Sequence, residues 1–191
     1  MESGFAWNLS VVPARLVHRR PKGSALGENP EFAAFVERRW DRLVRSAVLL
    51  GCSPTEAEDL AQDALTRALR NWDKVLAADN PDAYVHRILV NAFTSWRRRR
   101  WTGERPTASL PEPAADSVYE SVDTADAVLR ALHGLPRDQR VVVVLRYYVH
   151  LTEAQMAEVL DAPVGTIKSR LSRALTTLAS SDQLKDLRGT P

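Results

Sequence analysis

The chain has a single cysteine, Cys52, in 191 residues. No internal disulfide can form, so burial and hydrogen bonding alone must hold the fold. Its four histidines, His18, His86, His133 and His150, are scattered without the cysteine or carboxylate spacing of a metal site, and no metal is expected. There is no phosphate-cradling glycine loop and no nucleophile–base arrangement, so neither a catalytic activity nor a cofactor is expected. No apolar run approaches a membrane span and no signal-like stretch opens the chain, which predicts a cytoplasmic protein without membrane insertion. Alternating strand patterns and internal repeats are also missing.

What is present is ample apolar material and unevenly placed charge. Apolar residues make up 45% of the chain, enough for a packed core in one large domain or two small ones. Net charge is only +2, but residues 79–101 carry Arg87, Arg97, Arg98, Arg99 and Arg100 against Asp79 and Asp82. Residues 102–126 reverse the balance, with Glu104, Glu112, Asp116, Glu120, Asp123 and Asp126 against Arg105. A basic surface for polyanions followed by an acidic segment kept away from them is the physical reading.

Start and stop signals divide the chain into helices, and the fold class is all-α. Asn29-Pro30, Ser53-Pro54 and Asn80-Pro81 each set a capping residue before a proline suited to the first helical turn. Ser53 with Glu56 and Thr152 with Gln155 have capping-box spacing, and Gly51 is a C-terminal stop. The first helix runs from about Pro30 to Leu50, with Phe32, Phe35, Val36, Leu43, Val44 and Ala47 on its inner face. The second spans Pro54 to about Trp72, with a stripe of Leu60, Ala61, Ala64, Leu65, Ala68, Leu69 and Trp72. A third covers about Pro81–Arg100, and shorter ones follow at about 122–133, 136–149, 153–160 and 163–179. Val141–Leu145 with Tyr147 and Tyr148 has strand propensity, but a lone strand would have no partner, which favours a buried helix. The organisation expected is a flexible basic extension (1–28), a first helical domain (29–101), a flexible, acidic, proline-containing linker (102–121) and a second helical domain (122–185).

Three faces carry the chemistry. On the helix after Pro163, Val164, Ile167, Leu171, Ala174 and Leu178 form an inward stripe, while Thr166, Lys168, Ser169, Arg170, Ser172 and Arg173 face the other way. With the short helix Thr152–Leu160 before it, this is helix-turn-helix architecture, whose small, basic face can enter a major groove. Gly165 at its start would allow close backbone approach to a phosphate. On the third helix, Arg87, Asn91, Thr94 and Arg98 form a polar stripe opposite Val85, Ile88, Leu89, Ala92 and Trp96. Arginines interleaved with Tyr84, Phe93, Trp96 and Trp101 suit a strand of unstacked bases, with phosphate contact from the run that includes Arg97 and Arg98. On the second helix, Asp59, Gln62, Asp63, Thr66, Arg67 and Arg70 make a continuous polar face.

Four stretches in register resemble the extracytoplasmic-function (ECF) sigma factors of RNA polymerase. Glu58–Leu69 resembles the family's polymerase-binding helix, and Asn80–Asn91 its promoter-melting helix. Leu135–Arg140 with Leu145–Tyr148 resembles the start of its fourth region, and Pro163–Ala174 its recognition helix. The likeness covers about residues 30–180. It departs at Asp161-Ala162, where the family often has glycine, and at the long extension 1–28.

The resemblance implies an alternative sigma factor that directs promoter recognition, melting and initiation. Asp59, Gln62, Asp63, Thr66, Arg67 and Arg70 would bind core RNA polymerase. Arg87, Asn91, Thr94, Arg97 and Arg98 would capture the single-stranded minus-ten element. Gly165, Thr166, Lys168, Ser169, Arg170, Ser172 and Arg173 would read the minus-thirty-five element as duplex. An anti-sigma factor would be a further partner. The alternative is an autonomous helix-turn-helix regulator built on residues 122–185, which leaves the second- and third-helix patterns without a role.

Overall fold

The computed structural model describes residues 29–103 and 120–181, with side chains described for 29–96 and 125–181. Among the described residues every element is helical. The expected extension 1–28, most of the expected linker and residues 182–185 lie outside them. In chain order the helices are α1 (Pro30–Leu49), α2 (Pro54–Arg70), α3 (Trp72–Leu76), α4 (Pro81–Gly103), α5 (Glu120–Gly134), α6 (Arg137–Val143), α7 (Glu153–Leu160) and α8 (Val164–Ala179). A π-helical turn, Val144–Tyr148, continues α6.

Four helices, α1, α2, α4 and α7, begin where a side chain supplies an orphan amide with an acceptor. Asn29 Oδ1 accepts from the Phe32 amide at 2.9 Å, and Asn80 Oδ1 from Ala83 at 3.0 Å. Ser53 and Glu56 close a reciprocal capping box, as do Thr152 and Gln155. α1 ends in a Schellman arrangement: the Gly51 amide donates to Val48 at 2.9 Å and the Cys52 amide to Ala47 at 3.1 Å, with Gly51 at φ +103°. α7 stops on Asp161 at φ +49°, ψ +52°. That left-handed turn is made without glycine, because a short polar side chain tolerates the conformation better than most.

α1, α2 and α4 pack on one another, with α3 closing the end near the start of α4. Phe32 and Phe35 both meet Trp72 edge-on, at centroid separations of 5.1 and 5.3 Å. In the second half α8 packs on α6 and α7, while α7 also lies directly against α4. One apolar core therefore runs through both halves.

Three expectations are corrected. The second helix stops at Arg70, and Trp72 opens a separate short helix. Val164 is 40% exposed and does not join the inward stripe, whereas Ile167, Leu171, Ala174 and Leu178 are buried. Standing at the first position of α8, Val164 has no preceding turn to cover it. On α1, burial extends past the predicted face to Trp40, Ser46, Val48 and Leu49. α2 and α4 cover one side of that helix, and α5 with the π turn covers another.

Candidate nucleic-acid interface

The polar stripe of α4 faces solvent. Arg87, Asn91 and Thr94 are exposed, while Val85, Leu89, Val90, Ala92 and Phe93 are buried, with Ile88 and Trp96 partly so. The side chains of Arg97 and Arg98 lie outside the described residues. The first turn of α4 is tied down electrostatically. Asp82 pairs with Arg39 and, at 3.6 Å, with Arg42. His86, one turn along, is fully enclosed: its Nδ1–H donates to the Asp82 carbonyl at 2.8 Å, leaving Nε2 as an acceptor 3.2 Å from the Ser46 hydroxyl. That hydroxyl has a second acceptor in the Arg42 carbonyl at 2.9 Å. Burial pushes the His86 pKa down to about 4, with the Asp82 carbonyl opposing and the Arg42 charge assisting. His86 is therefore a neutral hydrogen-bonding strut at neutral pH, and it holds α4 at a fixed rotation on α1.

The predicted face of α2 is polar and accessible. Asp59, Gln62, Thr66 and Arg70 are exposed, with Asp63 and Arg67 half-buried. Arg67 and Asp63 form a two-pronged pair at 3.1 and 2.8 Å across one helical turn. Thr66 donates back to the Gln62 carbonyl at 2.8 Å. Side chains so occupied hold a fixed pattern of charge along the helix.

α8 offers a compact cationic face. Gly165, Lys168, Ser172 and Arg173 are exposed, while Thr166, Ser169 and Arg170 are partly so. Nothing lies within 4 Å of the place a side chain at Gly165 would occupy. Lys168 reaches Glu153 of α7 at 3.6 Å and Arg170 reaches Asp138 of α6 at 3.2 Å. Exposed pairs of this kind are worth at most about 1 kcal/mol, so both cations can exchange these partners for phosphates. Ser169 donates to the Thr166 carbonyl at 3.0 Å. The α4 stripe and the α8 face belong to different helices.

Sequence reasoning missed the arginines that join the two halves. Arg42 of α1 donates to the carbonyls of Tyr148 and Val149 at 3.2 and 2.8 Å. Arg140 of α6 donates to the Leu50 carbonyl at 2.9 Å and to those of His133 and Leu135 at 2.7 and 3.1 Å. Arg137 donates to the Thr94 hydroxyl and stands 5.1 Å over the Phe93 ring. Contacts between residues 43 to 107 positions apart leave no local signal in a sequence.

Comparison with known proteins places these faces in context. Residues 35–102 match the family model for Sigma-70 region 2, and residues 125–178 that for Sigma-70, region 4. The RNA polymerase sigma-E factor of Streptomyces avermitilis is 37% identical over 163 residues, covering 85% of this chain and 91% of that protein. The ECF RNA polymerase sigma factor SigM of Mycobacterium tuberculosis is 36% identical over 155 residues, 80% of this chain and 78% of that one. Among solved structures, the sigma factor RpoE in complex with the anti-sigma factor NepR from Bartonella quintana is similar with a TM-score of 0.64 and 27% identity. That match covers 84% of this chain and 99% of RpoE. CnrH, in complex with the cytosolic domain of CnrY, shares the fold with a TM-score of 0.58 at 22% identity, over 91% and 95% of the two chains.

Proposed function

The chain belongs to the sigma-70 family as an ECF RNA polymerase sigma factor, and from that premise we propose how its three faces divide the work. It binds core RNA polymerase and promoter DNA and directs initiation. The polar face of α2, from Asp59 to Arg70, docks on the polymerase. Arg87, Asn91 and Thr94, continued by Arg97 and Arg98, hold the unpaired strand of the minus-ten element, where amide and hydroxyl groups meet base edges. Gly165, Thr166, Lys168, Ser169, Arg170, Ser172 and Arg173 read the minus-thirty-five duplex, with Lys168 and Arg173 anchoring phosphates.

The observation that carries this reading is the exposed Arg87–Asn91–Thr94 stripe on a helix whose opposite face is buried. An autonomous duplex-binding regulator has no use for such a stripe. We assign the chain no catalytic step of its own and a cytoplasmic location; no described helix is long and apolar enough to cross a membrane. An anti-sigma factor is a natural partner, as RpoE and CnrH are each complexed with another chain. Run-off transcription with purified core polymerase tests the assignment. The chain should confer promoter-specific transcripts that core polymerase alone does not make. Tight promoter binding by the free chain, with no such transcripts, would favour the regulator reading.

A further inference from the structure

Two large apolar side chains stand exposed among the described residues, Leu76 on α3 and Val164 on α8. Val164 holds the first position of α8, between the exposed Pro163 and Gly165. Nothing lies within 4 Å of the place a side chain at Gly165 would occupy, so the space beside Val164 is open. Val164, Lys168 and Ser172 follow one another at i, i+4 and i+8, all three exposed, and form one ridge along α8. The buried stripe of the same helix begins only at Ile167.

A valine on that ridge restricts what the ridge can touch. Lys168 can donate to a phosphate or to a base acceptor, and the Ser172 hydroxyl can donate or accept. Val164 has neither donor nor acceptor in its side chain and gains nothing from a phosphate oxygen. In the major groove the base edges present donors and acceptors with one apolar exception, the C5-methyl of thymine. When a helix-turn-helix docks, the N-terminal residues of its second helix are the ones that meet base edges, and Val164 is the first residue of that helix. Its β-branched side chain is held near one χ1 rotamer in a helix, so little side-chain freedom is lost when a methyl group packs on it.

We propose that Val164 is a specificity-determining residue of the duplex-reading face, packing its γ-methyl groups on the C5-methyl of one thymine in the minus-thirty-five element. This contact rests on the assignment of α8 to that element. It adds an apolar reading to a face otherwise made of glycine, hydroxyls and cations. It also sets Val164 apart from Arg173, whose phosphate contact carries no sequence information. Exchanging thymine for uracil removes the methyl group and leaves every hydrogen-bonding group of the base pair in place. The exchange therefore isolates this one contact, and burial of a single methyl group corresponds to about a 4-fold change in affinity.

The test titrates holoenzyme, assembled from the full chain and core polymerase, onto a fluorescent promoter duplex that it transcribes. Each thymine of the minus-thirty-five element, on either strand, is replaced in turn by deoxyuridine. The unaltered chain is compared with Val164→Ala and with Arg173→Ala. Val164→Ala places a good helix former at an exposed position, so α8 stays folded, and circular dichroism checks this. At one thymine the exchange should weaken binding by the unaltered holoenzyme about 4-fold, while Val164→Ala holoenzyme should bind both duplexes equally. Arg173→Ala should weaken binding to every duplex and keep the same thymine penalty. An element without thymine, indifference of the unaltered holoenzyme to every exchange, or a penalty that survives whole in Val164→Ala each overturns the proposal. Arg173→Ala tests the assignment of α8 separately. If it weakens binding and lowers the salt dependence while Val164→Ala retains every penalty, α8 reads the duplex and the valine does not. If Arg173→Ala changes nothing, the assignment fails at that residue, and the coupling between Val164 and a thymine methyl, found or not found, still decides the proposal.

Discussion

The guanidinium of Arg140 occupies the space that a side chain at Gly51 would need. A Cβ built on Gly51 would collide with Arg140 Nη1, the atom that donates to the Leu50 carbonyl at 2.9 Å. Gly51 also holds φ +103°, which disfavours any side chain. Gly51→Ala should therefore cost about 1–2 kcal/mol from backbone strain, plus a further loss from displacing Arg140. In an Arg140→Ala background the second part should vanish. Urea denaturation of the four members of the double-mutant cycle separates the two contributions. Strict additivity would mean that the contact carries no energy.

His86 makes stability fall on the acid side of neutrality. Its pKa is about 4 when folded against 6.5 when free, so between these values the unfolded chain binds the extra proton and stability rises with pH. The contribution is whole above pH 6.5 and is lost as pH falls towards 4, with a total of roughly 3 kcal/mol. His86→Gln should flatten the pH dependence of the denaturation midpoint in that window. An unchanged slope would show that other groups set it.

Asn91→Ala should lower open-complex formation on a fully paired promoter, with the loss of roughly 1–3 kcal/mol of base discrimination. Asn91 is exposed on α4, so folding and polymerase binding should be untouched. Profiling every single substitution across the minus-ten element checks this. Unaltered preference at all of them would make Asn91 structural.

On α8 the two faces predict different failures. Arg173→Ala should weaken promoter binding at all sequences and reduce the dependence of log affinity on log salt by about one phosphate contact. Ile167 is fully buried, so Ile167→Asp should unfold the second half by placing an unpaired charge in its core. Circular dichroism separates these outcomes, since only the second variant loses helix.

The Asp63–Arg67 pair can be reversed as a unit. Both side chains are more than a third exposed, at 46% and 43%, and the pair contributes little to stability. Asp63→Arg with Arg67→Glu should keep α2 intact and abolish co-purification with core polymerase. Retained co-purification would move the docking surface elsewhere.

Much of this architecture was legible in the sequence because it is local. Asn29, Ser53, Asn80 and Thr152 cap their helices by contacts three residues long, and the stripes of α2, α4 and α8 follow from helical periodicity. Arg87, Asn91 and Thr94 emerge on the exposed side for the same reason. What could not be read depends on how the halves meet. Trp40 and Ser46 are buried because α1 is covered on more than one side. Val141–Leu145 is an unbroken buried apolar run at the junction of α6 and the π turn, where neither helix nor strand periodicity could speak. Asp161 takes the left-handed turn where glycine was the expected residue.

The seam between the halves has a consequence for how such proteins diverge. Arg42 and Arg140 reach across it to main-chain carbonyls, of Tyr148 and Val149 on one side and of Leu50 on the other. Every amino acid carries that acceptor, so drift at positions 50, 148 and 149 leaves the bonds available while each arginine stays. Paired substitution, the trace by which related sequences usually betray a contact, has nothing to record at these two arginines. At these two arginines the seam is written in backbone on its accepting side; only Arg137, on the Thr94 hydroxyl and the Phe93 ring, ties it to particular partner side chains among the three.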